Sequence, residues 1–320
     1  MSSSKLVVFL TNFYLQIILP FEMIHKIFTR GYDNKNEYIL LVIYVSVIFF
    51  FLFSYCYWEY TNFYLRYVYC FFIILGFFSI IYRVIFTQNI VFGELGDLNN
   101  RLETAIWIIV FIIIDVSIIF SKIKNKNCYT LAFPFRNGRF LVVDGGDGKK
   151  SFFTNYHYYG WKNKKAINYY SMRFATDIIK LNKYGFANSK ILSSSNEDYN
   201  IYGEKVYSPI EGEVVNMTAN YDDRIPYAKL PNNGGNQITI KNGNYYISLY
   251  HFKKDTIVVN VGEKLKVGNY LGEVGNSGYS PRPHLHIQVV YCEDNKHWLG
   301  KGVPIIFNNR YPVKNCSINA

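Results

Sequence analysis

Two stretches near the start of the chain, residues 38–58 and 63–82, run almost unbroken through Ile, Leu, Val, Phe and Tyr. Each has about the 20 residues a helix needs to cross the hydrocarbon core of a bilayer. Helices that are apolar all round have no polar face to offer water, so this part of the chain is predicted to lie in a membrane. Residues 104–121 form a third run, with Asp115 set inside an Ile-rich stretch. An ionisable group is costly there and faces other helices or water, in either a functional or a packing role. Residues 6–21 are shorter and interrupted by Asn12, Gln16 and Pro20, and no small-residue cleavage site marks them as a signal peptide. They read as a fourth span or as an interfacial helix. Residues 1–127 are therefore expected to form a membrane region of three or four transmembrane helices in contact with lipid.

The positions of Lys and Arg suggest an orientation. Lys26, Arg30 and Lys35 precede the first long run, and Arg83 and Arg101 lie between the second and third. Placing both basic segments in the cytoplasm puts residues 122–320 on the other side. Lys122, Lys124 and Lys126, just after the last run, vote the opposite way.

Near residue 127 the composition changes to Gly, Asn, Lys and Tyr in short alternating runs, and residues 128–320 read as a soluble domain. Most of the net charge of +11 lies there. A basic surface suits anionic cell-wall polymers, lipid headgroups or nucleic acid. No helix-turn-helix, RNA-binding aromatic signature or zinc-finger spacing accompanies it, so no nucleic-acid partner is expected. Five cysteines, none in a Cys-x-x-Cys pair, argue against a disulfide framework and against a thiolate zinc site.

The soluble part is predicted to be mainly β. Residues 139–154 read as a strand ending in a Gly145-Gly146 turn, and 206–215 alternate around Pro209 and Gly212. Residues 237–240 and 245–250 flank an Asn-Gly-Asn turn, which is a hairpin signal. Short Gly-punctuated strands follow at 261–275, and Leu285, Ile287 and Val289 alternate after them. The expected architecture is an antiparallel β-sandwich or half-barrel rather than a parallel sheet.

Four of the six histidines stand at suggestive places in this part: His157, His251, His284 and His286. In Pro283-His284-Leu285-His286 the two imidazoles stand two apart on a predicted strand and share a face. One can then bind a metal while the other handles protons. Two hydrogen-bonded surface histidines would have the same spacing, so context decides. The pair follows Gly275-Asn276-Ser277-Gly278-Tyr279-Ser280-Pro281-Arg282, Leu249-Tyr250-His251-Phe252 stands upstream, and residues 208–214 form a Ser-Pro-x-x-Gly-x-Val strand. In combination these motifs, over residues 140–308, resemble the lysostaphin-type (LytM-like) zinc metalloendopeptidases of bacterial cell walls.

The resemblance implies one zinc per chain, with His286 as a ligand and with His251 and His284 as the pair that activates water and stabilises the tetrahedral intermediate. It implies a wall peptide as substrate and a bacterial cytoplasmic membrane as location, with the soluble domain on the extracytoplasmic side. The family's remaining ligands come from a His-x-x-x-Asp motif. Asp177 matches its aspartate, but Arg173 holds the position four earlier, and an arginine cannot lose its proton to bind a metal. Within the family there is a variant style with an upstream Asn-x-His, matched here by Asn155-Tyr156-His157. His157 is then either the displaced ligand or a packed histidine. If it is the ligand, Arg173 is free to clamp a carboxylate; if it is not, the domain reads as a degenerate wall-binding or regulatory module. A lipoyl-like carrier shares part of the strand pattern but explains none of the histidines.

Overall fold

The computed structural model describes residues 3–32, 35–86, 98–160, 170–294 and 299–320. These divide into two compact units, Met1–Ser117 and Ile118–Ala320.

The first unit is helical. Helix α1 (Ser3–Phe13), a π-helical turn (Tyr14–Ile18) and α2 (Leu19–Thr29) follow one another without a break. The apolar stretch Lys5–Thr29 is 25 residues long, so the segment that read as shorter and interrupted is one helix long enough to span. Its polar residues are absorbed internally: the Asn12 amide donates to the Val8 carbonyl at 2.8 Å, and Gln16 donates to Asn12 Oδ1 at 2.7 Å and accepts from Thr61 at 2.6 Å. Pro20 directly follows the π-helical turn, in the first residues of α2. Helices α3 (Lys35–Tyr55), α4 (Leu65–Phe86) and α5 (Leu98–Lys122) complete the set. Among the described residues, four helices are long and apolar enough to cross a membrane. Helix α3 stops at Tyr55, short of the expected 58, because Trp58–Tyr60 form a tight turn in which the Trp58 indole, fully buried, donates to the Leu52 carbonyl at 3.2 Å. Hydropathy cannot tell a buried aromatic turn from helix. Helices α2 and α4 meet at Gly76, where a Cβ would lie 2.2 Å from Ile27 Cγ2. Arg83 donates to the carbonyls of Ile27 and Arg30 at the end of α2, satisfying acceptors that the helix leaves open. Residues 87–97, between the charges used for the topology argument, lie outside the described residues.

The second unit is mostly antiparallel β-sheet. In chain order its elements are β1 (Tyr129–Leu131), β2 (Arg139–Asp144), the short helix α6 (His157–Gly160), β3 (Thr176–Leu181), β4 (Lys205–Tyr207), β5 (Gly212–Thr218), β6 (Gln237–Asn242) and β7 (Tyr245–Tyr250), followed by β8 (Lys264–Leu265), β9 (Tyr270–Glu273), β10 (Leu285–Tyr291), β11 (Lys301–Val303), β12 (Ile305–Phe307) and β13 (Ser317–Asn319). Nine strands form one sheet in the order β13-β2-β3-β10-β7-β6-β5-β8, with β11 beside β10. Strands β4 and β9 pair antiparallel and β1 and β12 pair parallel. The Asn-Gly-Asn signal is the β6–β7 turn, closed by the Asn242–Tyr245 pair with Gly243 at φ +58°.

Strand β10 runs through the middle of the sheet. Leu285, Ile287 and Val289 are fully buried, and His286 and Gln288 are buried on the opposite face. Residue Ile287 pairs with Leu249 of β7 and Thr176 of β3, and His286 pairs with Tyr250 and Asp177. The period-two pattern therefore does two things: it packs an aliphatic face and lays His286 directly beside Asp177 on the other.

Candidate metal centre

The register just described brings His286 Nδ1 within 2.9 Å of Asp177 Oδ1. His157, at the start of α6, approaches the same carboxylate, with Nε2 3.3 Å from Oδ2. One donor atom from each of His157, Asp177 and His286 lies within 4.8 Å of the others, and all three residues are buried. His284, just before β10, adds Nε2 at 3.4 Å from Asp177 Oδ2.

Hydrogen bonds on the far side of each ring determine what faces this carboxylate. Asn155 spends its amide N–H groups on the Gly146 and Ala175 carbonyls at 3.0 and 2.9 Å, so its Oδ1 is the acceptor for the His157 backbone N–H and ring Nδ1, the latter at 2.9 Å. A neutral His157 thus carries its proton on Nδ1 and turns a lone pair to Asp177. His286 Nε2 is held by Gln288 Oε1 at 3.1 Å, leaving Nδ1 inward. His284 Nδ1 donates to the Arg282 carbonyl at 2.8 Å and His251 Nδ1 to the Ser277 carbonyl at 2.8 Å. Neutral imidazole lone pairs crowding a buried carboxylate repel it unless a cation lies between them. The donor set, two imidazoles and a carboxylate with the outer nitrogens already tied, fits zinc.

Without an ion, a proton on His157 can meet the same carboxylate. Burial disfavours the charged form of His157, but the Asp177 carboxylate outweighs it and holds His157 above the ordinary imidazole value. Burial likewise opposes charge on Asp177, yet the adjoining His157 holds its carboxyl well below the usual range. His251 and His284 are different: burial pushes both down, His251 strongly, so they stay neutral. Their rings lie 4.7 Å apart by centroid. His251 sits at φ +71°, in left-handed space, where β7 ends and the chain turns back. That turn sets its ring 6.0 Å from His286 by centroid. It is held by the His251 carbonyl, which accepts from Gly275 N–H at 2.8 Å, and by a close backbone approach of Gly278 to Gly235 that leaves no room for a Cβ.

All five residues read as the site, Asp177, His286, His157, His251 and His284, thus come together. Arg173 does not join them. Its guanidinium makes a two-pronged ion pair with the buried Asp147, Nε to Oδ1 at 2.7 Å and Nη2 to Oδ2 at 2.6 Å, so it is not free to clamp a substrate carboxylate. Asn155 was visible in the Asn-x-His motif, but its job of holding the His157 ring was not. The same holds for Gln288, two residues beyond His286 on the same face.

Residues 197–298 match the model of peptidase family M23. The segment includes His251, His284 and His286 and stops short of His157 and Asp177. An uncharacterized metalloprotease of Buchnera aphidicola subsp. Baizongia pistaciae is 42% identical over 83 residues, 26% of this chain and 19% of that protein. The peptidoglycan DD-endopeptidase ShyA of Vibrio cholerae is 38% identical over 89 residues, 28% of this chain and 18% of that protein. The chain therefore spans less than a fifth of the length of these curated relatives. Among solved structures, the catalytic domain of lysostaphin from Staphylococcus simulans matches at 23% identity and a TM-score of 0.25, covering 38% of this chain and 69% of that one. The match to peptidase family M23 lies across the very strands that set His251, His284 and His286 side by side, so it is the segment carrying these three histidines that is similar to that family.

Proposed function

We propose that this chain is a membrane-anchored zinc metalloendopeptidase that hydrolyses peptide bonds of bacterial peptidoglycan. The observation that carries the reading is the convergence of His157, Asp177 and His286, each buried and each with a donor turned to one point. These three would hold the ion. When bound, zinc supplies Lewis acidity, acidifying water to a pKa of about 7 and polarising the scissile carbonyl. The chain's own groups do the rest. His251, neutral and with Nε2 unprotonated, takes a proton from the attacking water. His284, tied through Nδ1 to the Arg282 carbonyl, keeps its Nε2 beside Asp177, and the proton that His251 takes up is the one returned to the leaving amine. The four apolar helices would anchor the protein, and the loop charges with the wall substrate favour an extracytoplasmic β domain.

Metal analysis of the purified chain is expected to give about one zinc per molecule, and purified peptidoglycan is expected to release peptide fragments identifiable by mass. A folded protein with neither zinc nor activity would instead support a wall-binding or scaffold module.

Proton competition gives a second expectation. In the metal-free protein the His157 charge stabilises the fold fully below the unfolded imidazole value of about 6.5 and is lost as pH rises through its raised folded value. The Asp177 contribution is present above about 3.9 and is lost only as pH falls through its lowered value. Zinc must displace the His157 proton, so its apparent affinity falls about tenfold per pH unit below that raised value. The zinc-induced rise in melting temperature should accordingly grow from pH 5.5 to pH 8; a flat response would contradict the ligand set.

A further inference from the structure

His157 reaches the site on a segment outside the family match, and that segment is fastened to two distant parts of the chain. One fastening is the last turn of α5, which belongs to the second unit. Ser121, fully buried, accepts from the Asp147 N–H through its carbonyl at 3.0 Å, and its hydroxyl meets the Asp147 carbonyl at 3.0 Å and the Thr154 hydroxyl at 2.5 Å. Gly146 at φ +92° lets the backbone pass close: a Cβ there would sit 3.0 Å from the Ser121 carbonyl oxygen. The other fastening is Arg173, whose two-pronged pair with Asp147 is joined by a Gly148 N–H bond to the Arg173 carbonyl at 2.9 Å. Between the two lies Asn155, bound to Gly146 and Ala175 and holding His157 by both backbone and ring.

We infer that Ser121, Asp147 and Arg173 are positioning residues for the His157 ligand, so that the end of the last apolar helix is a working part of the metal centre. This rests on the metal reading proposed above. It also gives Arg173 a role: the residue standing where a ligand would be expected secures the segment that supplies the ligand from elsewhere. The fork geometry of a guanidinium suits this, because both carboxylate oxygens of a fully buried Asp147 need donors at once, and a lysine ammonium cannot match them in plane.

The test uses the full chain in detergent, titrated with cobalt(II) and followed by visible absorption. Backbone hydrogen exchange is measured on the metal-free protein in parallel. Ser121→Ala and Arg173→Lys are expected to bind cobalt about 10–100-fold more weakly, the usual cost of removing support behind a ligand. Their visible bands are expected to shift, and residues 145–157 to exchange faster while β7 and β10 stay protected. Ser121→Thr, which keeps the hydroxyl, is expected to restore the wild-type bands. Wild-type cobalt affinity and bands in both Ser121→Ala and Arg173→Lys overturn the role and leave the metal centre standing. A wild-type chain that takes no cobalt overturns the metal centre and this role with it. If Ser121→Ala also exposes β7 and β10, Arg173→Lys decides the matter on the same two results.

Discussion

Replacing His157 with alanine is expected to strip zinc from the protein as thoroughly as replacing Asp177. Binding energies of about 10–16 kcal/mol for four-ligand zinc sites give about 3 kcal/mol per ligand, so the loss of one should weaken binding on the order of 10²–10³-fold. The effect is expected to be large because the replacement removes one of the three donors that converge, and Arg173, held by Asp147, cannot act as a ligand. Competition against a chromophoric chelator measures it directly. Unchanged affinity in His157→Ala, beside a loss in Asp177→Ala and His286→Ala, would show that His157 is a packed histidine and that another group completes the site. Asn155→Ala makes a graded companion, since it removes the acceptor that turns the ring but leaves the ligand.

What could be read from the sequence tracks how local each cause is. His284 and His286 share a neighbourhood because strand geometry repeats every two residues, and that is visible in five letters. The β6–β7 hairpin follows from Asn-Gly at the turn. The pairing of His286 with Asp177 joins strands 109 residues apart, and only the family motif anticipated it. His157 was harder still. Its place depends on an amide side chain bridging Gly146 to Ala175, and no periodicity encodes such a contact. Ser121 gave no signal because a serine near the end of an apolar helix reads as neutral, although here it is fully buried against the Asp147 loop. Lys314 and Asp144, a buried pair at 3.4 Å next to the Asp177 strand, were equally silent, since one charge lies beyond the strand motifs and the other ends β2.

The second large effect concerns His251. It is expected to lower turnover about 10²–10⁴-fold when removed, the range for losing a positioned general base, while the zinc content stays at wild type. The two readouts separate because His251 is not among the three residues whose donors converge. The choice of substitution matters. With φ at +71°, alanine would be strained in the turn as well as lacking a base, and any loss of activity would mix chemistry with folding. Asparagine tolerates left-handed backbone better and its amide N–H can replace the bond to the Ser277 carbonyl, yet it has no basic nitrogen. His251→Asn should therefore melt near the wild-type temperature, retain zinc, and still lose turnover. Because burial holds His251 well below the ordinary imidazole value, the wild-type rate should keep its acidic limb at lower pH than a free imidazole would give, and that limb should disappear in the variant. Were His251→Asn to lose zinc together with activity, His251 would have to be counted a ligand, and the division between metal-holding and proton-moving histidines would have to be redrawn.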